Sequence, residues 1–364
     1  MQERAGQEKP LWYTQPHPPS FPAPLSVHLT LLVPELIWPE PADRDVLGNL
    51  AAPGLEWMLA RARGEHGDRR SFEMVLAASF GLTAPPFGAL RLLGEGVEEA
   101  RSGHWLCADP VHLRFHHERI VLADAGAFDL DEDAAQGLVA ALNAEFGDVG
   151  HFLAASAGRW YLRLNVAVDH PVEPISAVAG RIVDGERRDS ALPLTRWLNE
   201  VQMFLHRHPL NERREAAGQP AINSLWLWGG GALPAGIAPG FSAVFTDNPL
   251  AAGLARAAGI PQHGRPVSLD DLAADAGTRP LVVLDQLLAR VLYEDSDGWR
   301  DGCAQLDAGW FIPLKKALGG KVDRITLLAP TVYGELRYTL TAGDRWKLWK
   351  RGQAIAETAK GLAA

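Results

Sequence analysis

Histidine runs out at His263 in a chain of 364 residues. Any metal chemistry that draws imidazole ligands from the last part of the chain is therefore excluded. Cysteine is almost as scarce. Cys107 and Cys303 stand alone and far apart, which fits neither a disulfide framework nor a zinc ligand pair and points to a reducing, cytoplasmic setting. Nowhere do about 18 consecutive apolar residues occur, and the start, with Glu3, Arg4, Glu8 and Lys9, lacks the apolar run of a signal peptide. Neither export nor a membrane partner is expected. No long basic patch offsets the net charge of -9, so a nucleic-acid partner is not expected either.

What is present is enough apolar residue, 47%, to bury a large core. Residues 1–25 are rich in proline and read as an extended tail that carries Trp12 and Tyr13. Residues 26–33 read as a strand, followed by a helix that starts at Pro53. Residues 72–95 read as two helical pieces parted at Pro85-Pro86, followed by strands at 105–113 and 119–122, a helix at 131–146 and a strand at 159–165. Beyond Pro193 the alternation becomes regular. Helices are expected at 195–206, 249–258 and 299–318, strands at 224–228, 241–245, 281–284 and 324–328, and a terminal hairpin within 333–349. The expected fold class is α/β, a mostly parallel sheet with helices on both faces plus a smaller inserted α+β domain. The expected division gives 26–100 and 195–364 to the core and 101–194 to the insertion.

In such sheets ligands sit beyond the carboxyl ends of the strands. That rule selects Pro34 and Glu35, Gly229, Gly230 and Gly231, Thr246 to Asn248, Asp285, and Thr331 with Tyr333. Ahead of the glycines lie His208, Asn211, Arg213 and Arg214, where a guanidinium fork suits phosphate or carboxylate. The same groups also suit a solvated helix end. His112, His116 and His117 have strand-like surroundings that spoil a shared metal face, and Glu294, Asp295, Asp297 and Asp301 read as a helix-capping acidic loop.

The order His208-Pro-x-Asn-x-x-Arg214, then Gly218-x-Pro-Ala-x-Asn223 and a strand ending in glycines, resembles the archaeal-type cofactor-independent phosphoglycerate mutases of the alkaline phosphatase superfamily. Residues 241–259 and Ala52-Pro53-Gly54-Leu55 are similar to further stretches of that family. Residues 105–114 and 159–163 look like a proteobacterial subgroup of mutase-like or pathogenicity-factor-regulator type. The resemblance implies an alkaline-phosphatase-like core, two divalent metals held by Asp and His, and a Ser or Thr nucleophile. Several departures bear on this. Pro34-Glu35 stands where the first-strand Asp is expected, the stretch after Leu281 reads Asp285-Gln-Leu-Leu-Ala-Arg290, and Pro330-Thr331 replaces an Asp-His. Ser71 falls near the nucleophile's place, but Phe72 follows it where the family has Asp.

Losing most metal ligands removes phosphoryl-transfer chemistry rather than slowing it. The first reading is therefore a degenerate, metal-free mutase-like protein with a binding or regulatory role, a residual anion site and no cofactor. Its ligand would be a small phosphorylated or carboxylate molecule, bound through His208, Asn211, Arg214, Asn223, Gly229, Gly230 and Gly231. Ser71 and Asp285 are the candidate catalytic residues. The alternative is an active mutase or phosphatase with a carboxylate-only magnesium or manganese site at Glu35, Asp247 and Asp285. A third reading is an interaction module that docks a protein partner through Trp12, Trp346 and Trp349.

Overall fold

The structure, a computed structural model, describes residues 27–363 apart from 49, 117–118, 181, 184–192 and 274. The proline-rich segment with Trp12, the side chain of His116 and all of His117 lie outside the described residues. The strands in chain order are β1 (His28–Leu32), β2 (Arg63–Gly67), β3 (His104–His116), β4 (Arg119–Ala123), β5 (Gly150–Ser156), β6 (Arg159–Leu164) and β7 (Ile182–Val183). They continue with β8 (Ser224–Gly231), β9 (Ala243–Phe245), β10 (Gln262–His263), β11 (Pro280–Val283), β12 (Arg324–Thr331) and β13 (Gly334–Thr341).

One sheet has the order β10-β9-β11-β1-β12-β13-β2. Its first five members are mutually parallel, and β13 and β2 follow by antiparallel pairing. Its register shows why residues 31–33 form an unbroken apolar run. Leu31 is level with Val282 and Leu327, and all three enter one core cluster. Leu32 is level with Val283 and Leu328, which enter the cluster on the opposite face. A sheet covered on both faces needs apolar residues at both parities. Each such burial contributes roughly 1.5–3 kcal/mol relative to exposure. The result is the expected mixed α/β architecture, a large, mostly parallel sheet flanked by helices.

A second, antiparallel sheet runs β5-β6-β3-β4-β7, with β8 paired to β3. It shares a core with the first through Trp105, Cys107, Tyr161, Trp226 and Trp228, which pack toward the helices Phe72–Ser79, Phe87–Gly94 and Pro249–Ala257. Its far face, with Leu106, Trp160, Leu225 and Leu227, is covered by the helices Glu132–Glu145 and Pro193–His206. Two of the helices between the sheets cross at glycines. A Cβ on Gly94 would lie 1.7 Å from the Pro249 carbonyl oxygen, and one on Gly253 1.7 Å from that of Leu90, so neither position accepts a side chain without separating the helices.

Three sequence expectations are corrected. Residues 224–231 do not stand in the parallel sheet but on β3, with Val111 level with Ser224 and Cys107 with Trp228. The alternation Leu225-Trp226-Leu227-Trp228 serves two faces, leucines to one core and tryptophans to the other. Leu194, Trp197, Val201, Leu205 and Ile222 accordingly pack on the far face of the second sheet, while Trp226 and Trp228 face the core it shares with the parallel one. The terminal hairpin forms between β12 and β13, turning at residues 332–333, instead of within 333–349. The expected long helix at 299–318 is Ser296–Leu306, a π-turn at Asp307–Phe311, and Ile312–Ala317. Pro313 lacks the amide that would continue the ladder, and the Asp307 side chain accepts from Gly54 N at 3.2 Å and Leu55 N at 2.7 Å. It thereby caps the distant helix Pro53–Arg61, whose N-cap Ala52 has no side-chain acceptor. No helix among the described residues is long and apolar enough to cross a membrane.

Candidate functional site

Because β10, β9, β11, β1 and β12 are parallel, their carboxyl ends share one edge. Asp247, Arg265 and Asp285 meet there. Arg265 Nε lies 3.4 Å from Asp247 Oδ2, and its Nη1 lies 3.6 Å from Asp285 Oδ1. Nη1 also donates to Gln286 Oε1 at 3.1 Å, while the Arg265 backbone amide donates to Asp247 Oδ1 at 3.0 Å. Asn248 Nδ2 donates to Asp285 Oδ2 at 2.9 Å, and Asn248 Oδ1 caps the helix Pro249–Ala257. Two carboxylates, brought in from β9 and β11, thus face one guanidinium supplied after β10.

The other strand-end candidates serve turns. Glu35 adopts φ 55, its amide donates to Pro330 O at 2.9 Å, and its carbonyl accepts from Trp299 Nε1 at 2.9 Å. Its side chain is buried. Thr331 Oγ1 donates to Gly334 O at 3.1 Å and accepts from Tyr333 N at 3.2 Å, closing the β12–β13 hairpin. The Tyr333 hydroxyl donates to the carbonyls of Trp38 and Pro39, each at 2.9 Å, and burial pushes its pKa up.

The donors present do not fit the two-metal arrangement that the resemblance implies. Asp247 and Asp285 share an arginine, which brings a fixed positive charge to the place where a cation would be held. Among the described residues no group of three or more His, Cys, Asp or Glu side chains is disposed around a common point. Ser71 is the N-cap of the helix Phe72–Ser79, its Oγ accepting from Met74 N at 3.3 Å. Within that helix burial pushes the Glu73 carboxyl up, although Ser176 donates to it at 2.6 Å.

The residues of the expected anion lobe make local structural contacts. His208 caps a short helix missed in the sequence, Pro209–Ala216, with Nδ1 accepting from Leu210 N at 3.2 Å, and burial lowers its pKa. Asn211 is buried and donates to Leu205 O at 2.8 Å and Ile222 O at 2.9 Å, while its Oδ1 accepts from Ile222 N at 2.8 Å. Arg214 donates to Pro220 O at 2.9 Å and Asp129 O at 2.8 Å. Asn223 exchanges bonds of 2.8 and 2.9 Å with the Leu113 amide and carbonyl, adding one more rung where the β3–β8 ladder ends. Gly229 and Gly231 have positive φ, and Cβ atoms there would lie 2.5 Å from Phe87 Cβ and 2.7 Å from Pro86 Cβ. At Gly230 a Cβ would lie 3.2 Å from His104 Nε2. These residues hold backbone to backbone and let a helix start approach a strand. The side-chain amides of Asn211 and Asn223 and two nitrogens of Arg214 are committed to main-chain carbonyls.

Of the other polar groups singled out, His112 Nδ1 hydrogen-bonds Ala221 O at 2.8 Å. Asp295 caps Ser296–Leu306 as expected, accepting from Gly298 N at 2.9 Å. Two important groups had escaped the sequence reading. Arg265 carries only the weak signal of following the last histidine. Arg91 is an arginine within the apolar run Leu90 to Leu93, and it makes a buried bidentate pair with Asp109 at 2.5 and 3.0 Å. It also donates to Tyr161 OH at 2.9 Å, and Trp228 Nε1 donates to Asp109 at 2.8 Å.

A stretch of 150 residues is 27% identical to the 2,3-bisphosphoglycerate-independent phosphoglycerate mutase of Methanosarcina barkeri. The match covers 38% of this chain and 37% of that enzyme, so it spans little more than a third of the relative's length. No protein-family profile matches the chain. Among solved structures, the PH0037 protein from Pyrococcus horikoshii aligns with a TM-score of 0.53 at 14% identity over 92% of both chains. The cofactor-independent phosphoglycerate mutase of Thermoplasma acidophilum aligns with a TM-score of 0.47 at 18% identity, over 92% of this chain and 94% of that one. The Pyrococcus likeness shows a shared fold, and the Methanosarcina match supports the family that residues 208–223 resemble, the cofactor-independent phosphoglycerate mutases.

Proposed function

We propose that this mutase-like chain has lost metal-dependent phosphoryl transfer and acts as a binding or regulatory protein in the cytoplasm. The observation that carries the reading is Arg265, whose guanidinium lies within 3.4 and 3.6 Å of the two strand-end carboxylates. Phosphoryl transfer in this chemistry relies on divalent ions that neutralise the migrating group and lower the nucleophile's pKa. A guanidinium carries one charge, has no open coordination position and lowers no water's pKa. The lack of histidine beyond His263 supports the same reading.

Purified protein given 3-phosphoglycerate with magnesium or manganese is expected to show no turnover. Saturating manganese or zinc is expected to leave its thermal midpoint in place. Turnover, or a rise of several degrees from binding to the folded state, overturns the proposal.

One observation favours the alternative, a carboxylate-only magnesium enzyme. Asp247 and Asp285 do converge from neighbouring strands, and the Asp247 side chain is 61% exposed. In that case Arg265 would have to withdraw for a hard cation to enter. Turnover that is lost in Asp285→Ala would select this reading.

A further inference from the structure

Seven large apolar side chains among the described residues are exposed, and Trp346, Leu348 and Trp349, at 68%, 77% and 76%, fall within four positions. The described tryptophans elsewhere are buried or half-buried. The segment is Arg345-Trp-Lys-Leu-Trp-Lys-Arg351, four cations in seven residues of a chain whose net charge is -9.

The loop is held in shape from within. Thr341 and Asp344 form a capping box, Lys347 Nζ bonds Asp344 at 2.7 Å and the Arg61 carbonyl at 3.1 Å, and Arg345 donates to Leu318 O at 3.2 Å. Those contacts use Arg345 and Lys347 to pin the segment to the body, and leave Lys350 and Arg351 exposed beside the apolar side chains. Keeping three large apolar groups in water is unfavourable, and nothing in the described fold covers them.

We propose that this loop is a docking surface for an anionic lipid bilayer. Tryptophan favours the boundary between headgroups and acyl chains, and leucine gains by entering just below it. Flanking lysine and arginine are attracted to the negative surface of a cytoplasmic leaflet. High exposure of each side chain means that they project outward rather than line a groove. A bilayer accepts such a ridge without a complementary pocket, whereas a protein partner must supply one. The remaining surface, with its negative excess, is repelled by the same lipids, so the charge distribution also selects the orientation. The absence of a spanning segment does not weigh against this, because a peripheral contact needs none. The inference is independent of what the strand-end carboxylates do.

The test is sedimentation of the full chain with vesicles of phosphatidylcholine alone and with about 30 mol % phosphatidylserine added. Binding to the anionic vesicles that weakens with salt is expected, with little to the neutral ones. Trp346→Ala with Trp349→Ala, and separately Lys350→Glu with Arg351→Glu, should each weaken it roughly tenfold or more. Brominated lipid should quench tryptophan fluorescence in the parent and less in the first variant. The altered side chains are at the surface, so circular dichroism and thermal midpoints should match the parent. No sedimentation with anionic vesicles, equal binding to both compositions, or parental binding by either variant overturns the proposal. So does light scattering in which the tryptophan variant turns a dimer into a monomer, because a second copy would then be the occupant.

Discussion

The polar cluster at residues 208–223 and the one at the strand ends are built from similar groups but differ in what their hydrogen bonds reach. Asn211, Arg214 and Asn223 each bind main-chain atoms, and Asn211 is sealed from water. Asp247, Arg265 and Asp285 bind mainly one another across three strand ends and stay in contact with solvent. The first holds the architecture together. The second is where a charge is presented and answered. A stretch that resembles a family's motif can therefore be held in place by bonds to the main chain.

This contrast can be broken experimentally. The largest effect is expected within the interior polar network between the sheets. Arg91→Met leaves Asp109 buried without its cation and should cost about 3–5 kcal/mol, read from the denaturant midpoint at unchanged slope. A loss below about 1 kcal/mol would mean that the pair is hydrated and the two sheets are held otherwise. Asn211→Ala should cost on the order of 2–3 kcal/mol, because the Leu205 and Ile222 carbonyls and the Ile222 amide lose their partner. If the variant keeps its stability but loses affinity for phosphate or a phosphorylated acid, residues 208–223 are a ligand site after all. The smallest effect on folding belongs to Arg265→Ala. With its partners partly exposed it should change stability by less than about 1 kcal/mol. Its sharper readout is metal: manganese should raise the thermal midpoint of this variant and not of the parent. If neither responds, Arg265 is not what keeps a cation from the carboxylates.

Much of the architecture was legible because local periodicity carries it. The apolar runs at β1, β11 and β12, the proline starts at Pro53 and Pro249, and the break at Pro85-Pro86 all lie where the pattern put them. The helices Pro209–Ala216 and Gln286–Leu292 were not read, since the first has only two buried residues, Asn211 and Arg214, and the second is a short stretch directly after a strand. The candidate site was half legible. Asp247 and Asp285 follow from the rule that strand ends carry function, but Arg265 could not be joined to them without knowing that β10 lies beside β9 and β9 beside β11.

The order of chain segments by itself fixed the α/β alternation, the apolar faces and the lack of histidine beyond His263, because these are properties of spacing and composition. Tertiary structure alone decided that β8 joins β3 and that a guanidinium answers the two carboxylates. The physical reason is that strand pairing and ion pairing depend on main-chain and charged groups distant in sequence. Every residue except proline carries the same main-chain donor and acceptor, so partner choice is settled only when whole faces are buried together.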